Sequence, residues 1–148
     1  MVEIDTMLYA FEAGECEMRD NSLLGNVLAL GSRLMAAGRI PQDVAEGVNG
    51  AFALCLVRQS GTEIKTLHSG DELEVGRTPE GCKMLWAIDD LWMSRRHFRI
   101  MVEETGVASL HCLGARNGTF VNDQAVEGSV SLRRGDVIRV GYSTLLLL

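Results

Sequence analysis

Four short clusters in the second part of the sequence hold side chains that can bind an anion. Every cluster contains arginine next to glycine, serine or asparagine, and the clusters cover residues 76–78, 94–97, 116–122 and 132–141. Guanidinium groups donate paired hydrogen bonds to an oxyanion, and serine hydroxyls and asparagine amides add further donors. Phosphate suits such a site because it offers several strong acceptors. The clusters therefore predict a phosphate-binding surface at loops that a rigid frame brings together.

The elements that must position these loops are predicted to be β-strands. After Gly50 the apolar residues alternate with a period of two, and glycine-containing turns separate the segments. Many short strands at even spacing indicate an antiparallel sandwich or barrel. The final residues, Leu145–Leu148, are expected to form an inner strand that pairs with the first. The predicted strands cover residues 51–58, 62–67, 72–76, 83–87, 97–103, 107–113, 119–121, 137–140 and 144–148.

A different period, typical of helices, runs through the first part of the chain. We expect residues 1–50 to form a helical extension, with Asn21 or Ser22 capping its second helix. Gly38 is expected to end that helix, and Pro41 to begin a short third one. The apolar stripes are too narrow to form a core alone. The helices must therefore pack on each other, on the following domain or on a partner.

The order of the clusters resembles one known family. Gly76-Arg77 is followed by Ser94-x-x-His97, then by Asn117-Gly118-Thr119-x-Val121-Asn122, and then by Gly135-Asp136. This pattern is similar to that of the forkhead-associated (FHA) domain, over about residues 51–148. The resemblance implies a mainly β fold, an FHA-like antiparallel β-sandwich of about ten to eleven strands. The expected domains are then the helical extension, 1–50, and the sandwich, 51–148.

The resemblance also implies which residues bind a phosphopeptide. Arg77 would bind the phosphate with its guanidinium group, and Ser94 would donate its hydroxyl to a phosphate oxygen. Arg95 would contact the phosphate or the peptide backbone, and Arg116 would add a contact on the phosphate side. Asn117 would hydrogen-bond the peptide backbone.

Further positions have structural roles in the family. The resemblance implies that Gly76 permits a close approach, His97 braces a loop, Gly118 forms a turn with positive φ, and Thr119 contributes a loop hydroxyl. Arg96 is expected on the solvated surface, because it alternates with Arg95. Many family members carry an aspartate and a serine where this chain has Cys112 and Ala115, so a less rigid loop is expected here.

Composition excludes several other classes of protein. The net charge is −6, with three basic and eight acidic residues in 1–50 and eleven basic and twelve acidic residues in 51–148. An acidic chain is a poor general ligand for nucleic acid or anionic membrane. The four cysteines are scattered, so neither a metal site nor a disulfide framework is expected. No signal peptide is expected from the first residues, no apolar run approaches about 18 residues, and a cytoplasmic location is expected.

The resemblance to the FHA family implies a phosphothreonine-dependent peptide- or protein-binding module in kinase-linked signalling. Its expected partner is a phosphothreonine-containing protein, the substrate of a Ser/Thr kinase, and no cofactor is expected. The alternative is a phosphate-independent FHA-like scaffold in a larger assembly. An enzyme is not expected, because His68, His97 and His111 have no nucleophile at a recognisable spacing and no Gly-rich phosphate loop is present.

Several roles remain open for the extension. Its charge and the position of Thr6 near the N-terminus allow a phosphorylated Thr6 to occupy the domain's own site. We favour a plainer role, in which the helices cover a sheet edge or form a homodimer through residues 1–50. A third alternative is that the extension simply packs on its own domain.

Overall fold

Two helices and eleven strands make up the part of the chain that the structure, a computed structural model, describes: residues 21–148. The helices are α1 (Asn21–Ala36) and α2 (Gln42–Ala45). The strands are β1 (Phe52–Arg58), β2 (Gly61–Leu67), β3 (Glu72–Gly76), β4 (Met84–Ala87), β5 (Phe98–Val102), β6 (Ala108–Cys112), β7 (Phe120–Val121), β8 (Gln124–Ala125), β9 (Ser129–Leu132), β10 (Val137–Val140) and β11 (Ser143–Leu147).

The strands form two sheets that pack face to face. One sheet has the order β2-β1-β11-β10-β7-β8 and the other has the order β4-β3-β5-β6-β9. The predicted mainly β sandwich of ten to eleven strands is therefore confirmed. The last strand is also an inner one, as predicted, because β11 lies between β1 and β10 and Leu54 pairs with Leu147.

Two details differ from the sequence prediction. First, β3 and β4 are parallel, whereas all other pairs are antiparallel. Residues 77–83 run back beside β3 before β4 starts, and seven residues at about 3.3 Å each are long enough for that path. Second, the sequence analysis missed β8 and β9. β8 has two residues, and it forms a hairpin with β7 through Asn122 and Asp123, which have positive φ angles of 50° and 67°.

The main apolar core fills the space between the sheets. Alternate residues of the strands point inward, and several are completely buried: Leu54, Leu56, Phe98, Ile100, Leu110, Ile138, Leu145 and Leu147. Burial of each such side chain stabilises the fold by about 1.5–3 kcal/mol. This core holds the strand ends, and so the loops between them, in fixed positions.

A second apolar core lies between the helices and the outer face of the first sheet. Leu30 and Leu34 of α1 and Val44 of α2 are each 2% exposed, and they belong to one cluster with Ala53 and Cys55 of β1. Strand β1 is consequently buried on both faces. The described part of the extension thus packs on its own sandwich.

The helix ends have the expected breakers. Gly38 follows α1 with a φ of 69°, and Pro41 directly precedes α2. Thr6, and any role of residues 1–20, lie outside the described residues. The domain division near residue 50 and the homodimer through residues 1–50 stay predictions. Within residues 21–148, neither helix has both the length and the apolar character needed to cross a membrane.

Candidate functional site

Three loops meet at one end of the sandwich, and they carry the predicted phosphate-binding residues. The loops are residues 77–83, 88–97 and 113–119. The N–H of Arg77 donates to the Ser94 carbonyl at 3.1 Å, and the N–H of Thr78 donates to the Arg95 carbonyl at 2.9 Å. The N–H of Arg116 donates to the Ser94 hydroxyl at 3.2 Å. The loop around Ser94 is therefore fixed by both of its neighbours.

Gly76 allows the first two loops to approach each other. A Cβ atom at this position would lie 2.1 Å from the Arg95 carbonyl oxygen and 3.0 Å from the His97 nitrogen. Those neighbours are backbone atoms, so they cannot move aside cheaply. Only glycine fits here without displacing the loop that carries Ser94.

His97 links the second loop to the third from a fully buried position. Its Nδ1 accepts a hydrogen bond from the Ser94 N–H at 3.0 Å, and its Nε2 lies 2.8 Å from the Gly118 carbonyl oxygen. A carbonyl only accepts, so Nε2 must carry the proton and the imidazole is neutral. Burial lowers the pKa of His97 below its ordinary value, which agrees with the neutral form.

The donors on Arg77 and Ser94 are partly used and partly available. Arg77 Nε donates to the Met93 carbonyl at 2.7 Å, which fixes the guanidinium plane. Its two terminal nitrogens have no acceptor among the described side chains and backbone. The Ser94 hydroxyl accepts from Arg116, so its own O–H remains free to donate. Both groups can therefore donate to an anion above the loops.

Asn117 lies at the exposed tip of the third loop. Its Nδ2 donates to the Trp92 carbonyl at 2.8 Å, so its side chain is already oriented across the second loop. Its amide oxygen and second N–H can still bond to a peptide backbone. Gly118 follows with a φ of 79°, a conformation that favours glycine. Thr119 is 2% exposed, and its hydroxyl has no hydrogen-bond partner within the described part of the chain.

The two adjacent arginines have different surroundings. Arg95 is exposed in the second loop. Arg96 was expected on the solvated surface, and 40% of its side chain is exposed, but the side chain also pairs with a buried carboxylate. Its Nε and Nη2 donate to both carboxylate oxygens of Glu74, at 3.0 and 2.9 Å, and Glu74 is completely buried.

Glu74 also holds the first loop in place. Its carboxylate accepts from the Glu80 N–H at 2.8 Å and from Arg99 Nε at 3.1 Å. The hydrogen bonds from Arg96 lower the pKa of Glu74 to about 2, so it stays ionised. The carboxylate thus secures the segment that returns from β3 to β4.

Sequence reasoning missed Asp90, which orders the second loop. This buried carboxylate accepts hydrogen bonds from the Trp92 N–H at 2.9 Å, the Tyr142 N–H at 2.8 Å and the Ser143 hydroxyl at 2.7 Å. A Cβ at Gly141 would come within 3.0 Å of the Asp90 carboxyl group. Two of the three partners, Tyr142 and Ser143, lie 52 and 53 residues away in sequence, and no local pattern reveals them.

No metal centre accompanies the site in residues 21–148, where no group of three His, Cys, Asp or Glu side chains could hold an ion. The loop end instead presents guanidinium groups, a hydroxyl and an amide. Such an arrangement binds an anion by direct hydrogen bonds.

Comparisons with known proteins agree with this geometry. The sequence model of the FHA domain matches residues 73–141. The FHA domain-containing protein At4g14490 of Arabidopsis thaliana is 39% identical over 80 residues, which are 53% of this chain and 20% of that protein. The chain thus matches only about a fifth of the length of this curated relative.

Solved structures show the same fold with greater coverage. The FhaA FHA domain, complexed with the intracellular domain of Rv3910, is 33% identical with a TM-score of 0.56, over 66% of this chain and 99% of that one. An FHA domain studied for its phosphothreonine-dependent interactions is 33% identical with a TM-score of 0.56, over 66% of this chain and 94% of that one. FHA domains are interaction modules and not a family of enzymes. The chain belongs to the FHA domain family, as its three loops, its two sheets and these relatives together show.

Proposed function

We propose that the loop end of the sandwich binds phosphothreonine in a peptide or protein, and that it does so reversibly. In this proposal, the terminal nitrogens of Arg77 and the hydroxyl of Ser94 donate to phosphate oxygens, with Arg95 and Arg116 beside them. Asn117 binds the backbone of the peptide and sets its register. The function is recognition, and no chemical step follows.

One observation carries the proposal: the Ser94 hydroxyl oxygen accepts a hydrogen bond from the Arg116 N–H, which leaves its own proton free to donate to a ligand. The Arg116 N–H fixes the oxygen at 3.2 Å, and the His97 ring fixes the Ser94 backbone at 3.0 Å. Arg77, on the first loop, is tied to the second loop by its bond to the Met93 carbonyl. A preorganised set of donors loses little entropy when it binds phosphate.

The number of donors sets the expected affinity. A hydrogen bond to a charged group contributes about 1.5–3 kcal/mol net. Three or four such bonds, less the cost of ordering a flexible peptide, give a dissociation constant around micromolar. An affinity of this size suits a contact that a kinase and a phosphatase can switch.

The proposed partner is a phosphothreonine-containing protein, the substrate of a Ser/Thr kinase, and the proposed setting is cytoplasmic signalling. The phosphothreonine-dependent interactions of one similar domain support this choice. The complex of another with the intracellular domain of Rv3910 supports a protein domain, and not only a short peptide, as the partner.

A peptide array tests the proposal. Each peptide would be printed with phosphothreonine, phosphoserine and unphosphorylated threonine at one fixed position. We expect binding to the phosphothreonine form and none to unphosphorylated threonine, which lacks the phosphate. Binding to the phosphoserine form should be weaker than to phosphothreonine, because the threonine methyl adds about 0.8 kcal/mol when buried. Equal binding to the first and third forms would favour the phosphate-independent scaffold.

A further inference from the structure

An exposed apolar ridge lies beside the proposed phosphopeptide site. It consists of Leu91, Trp92 and Tyr142, whose residues are 83%, 52% and 70% exposed. The Trp92 and Tyr142 rings meet edge to face, with their centroids 5.5 Å apart. Large apolar side chains grouped in this way on a protein surface are typical of a site that contacts another protein.

The ridge is rigid because Asp90 fixes it from below. The buried carboxylate accepts from the backbone of both Trp92 and Tyr142, and so joins the second loop to the turn between β10 and β11. Burying a carboxylate is costly, and three hydrogen bonds offset that cost here. The main core does not need these exposed rings. The hydrogen bonds therefore hold a surface in one conformation, which lowers the entropy cost of binding a ligand there.

Two grooves flank the ridge, and Trp92 lines both. The smaller, of about 290 Å³, includes Asn117 and belongs to the proposed phosphopeptide site. The larger, of about 550 Å³, runs to the β1–β2 turn and is lined by Leu91, Asp89 and Arg58 among others. A ligand that crosses the ridge would thus pass from the first groove directly into the second.

The charges in the larger groove indicate what it would take. Arg58 lies 4.0 Å from Glu63 and has a partner. Asp89 is exposed, and its carboxylate has no hydrogen bond or ion pair with any residue whose side chain the structure describes. An apolar wall beside a free carboxylate complements a large apolar side chain next to a lysine or arginine.

We propose that this larger groove, with Leu91 and Asp89, is a second docking surface for the phosphorylated partner. It binds a segment that carries an apolar residue next to a basic one and lies beyond the residues around the phosphothreonine. The inference rests on the proposed function, because the phosphothreonine is what delivers the segment. Linking the two contacts in one chain raises the affinity without requiring either one to be tight.

Two phosphopeptide libraries test this inference. Both have one fixed phosphothreonine; the short library has three random residues on each side, and the long library adds twelve on each side. We expect the long library to yield peptides with an apolar–basic pair at a constant distance from the phosphothreonine, and affinities about tenfold above the short ones. Leu91→Ser and Asp89→Lys should remove that gain and leave the short peptides unaffected.

Val107→Ser is the matched control, because Val107 is 46% exposed in the β5–β6 turn at the other end of the sandwich. It should keep the full gain. The inference is overturned if long peptides show no apolar–basic pair, or if Leu91→Ser binds them as tightly as the parent does. Failure of the proposed function looks different: no phosphopeptide of either library binds. In that case a long library without phosphate tests the docking surface by itself. Selection of peptides with an apolar–basic pair that depends on Leu91 would support the docking surface, and the absence of such selection would overturn it.

Discussion

Replacement of His97 by alanine should destabilise the domain as strongly as truncation of a large core side chain does. The side chain is 0% exposed and joins two functional loops through the Ser94 N–H and the Gly118 carbonyl. Alanine removes both bonds and leaves one buried donor and one buried acceptor without a partner. His97→Asn provides a graded comparison, because its amide oxygen can replace Nδ1 but cannot reach Gly118.

The magnitude follows from these contacts. An unsatisfied buried group costs about 1–3 kcal/mol, and two of them with a partly collapsed cavity give about 3–5 kcal/mol for His97→Ala. His97→Asn keeps one of the two bonds, so its loss should be smaller by about 1–2 kcal/mol. Small domains are stable by only about 5–15 kcal/mol, so His97→Ala should be near the limit of folding.

Urea unfolding followed by tryptophan fluorescence measures these losses. The midpoint should fall in the order parent, His97→Asn, His97→Ala, with an unchanged slope. His111→Ala is the control, because His111 is only half-buried and bonds to the hydroxyl of Ser109 on its own strand. The reasoning is refuted if His97→Ala lies within about 0.5 kcal/mol of the parent, or if His111→Ala costs as much.

Three further predictions follow from the described contacts. Burial lowers the pKa of His97, so at a pH below the ordinary value of 6.5 the unfolded chain binds more protons than the folded one. The contribution of His97 to the free energy of unfolding, measured with urea, should therefore be constant above pH 6.5 and fall below it by at most about 1.4 kcal/mol per pH unit. The His97→Asn variant should lack this pH-dependent contribution. Ser94→Ala should weaken phosphopeptide binding by about 1–2 kcal/mol in calorimetry while thermal stability changes little; no change in affinity would contradict its role. Removal of residues 1–47 uncovers the outer face of β1, which carries Cys55. Burial raises the pKa of this thiol to about 12, so Cys55 should be unreactive towards a thiol reagent in the parent and reactive after the removal. An unreactive Cys55 in the shortened protein would contradict the packing.

The sequence predicted the parts of the fold that depend on local alternation. Strands β1 and β3 and the inner position of β11 follow from apolar patterns and glycine turns, and the clusters around Arg77, Ser94 and Asn117 were placed at loops that the structure brings together. Strand β8 was missed because it has only two residues and both are exposed. Strand β9 does alternate serine with valine and leucine, but the alternation covers only four residues and was overlooked.

Other features depend on contacts between distant residues. In the segment Glu72–Gly76, alternation puts Glu74 opposite Leu73 and Val75, so it is expected in solvent. It is buried because the parallel return of residues 77–83 covers that face and because Arg96 and Arg99 neutralise it. Its burial is therefore determined by the crossover, and no local sequence pattern indicates it.

The central claim, that Arg77 binds the phosphate of a phosphothreonine peptide, is tested most directly by one calorimetric comparison. The tightest peptide from the array and its unphosphorylated twin would be titrated into the parent and into Arg77→Ala. We predict a dissociation constant around micromolar for the phosphopeptide and the parent, no binding of the twin at about 100-fold higher concentration, and loss of binding in Arg77→Ala with an unchanged melting temperature. Equal binding of both peptides, or parent-like affinity in Arg77→Ala, would contradict the claim.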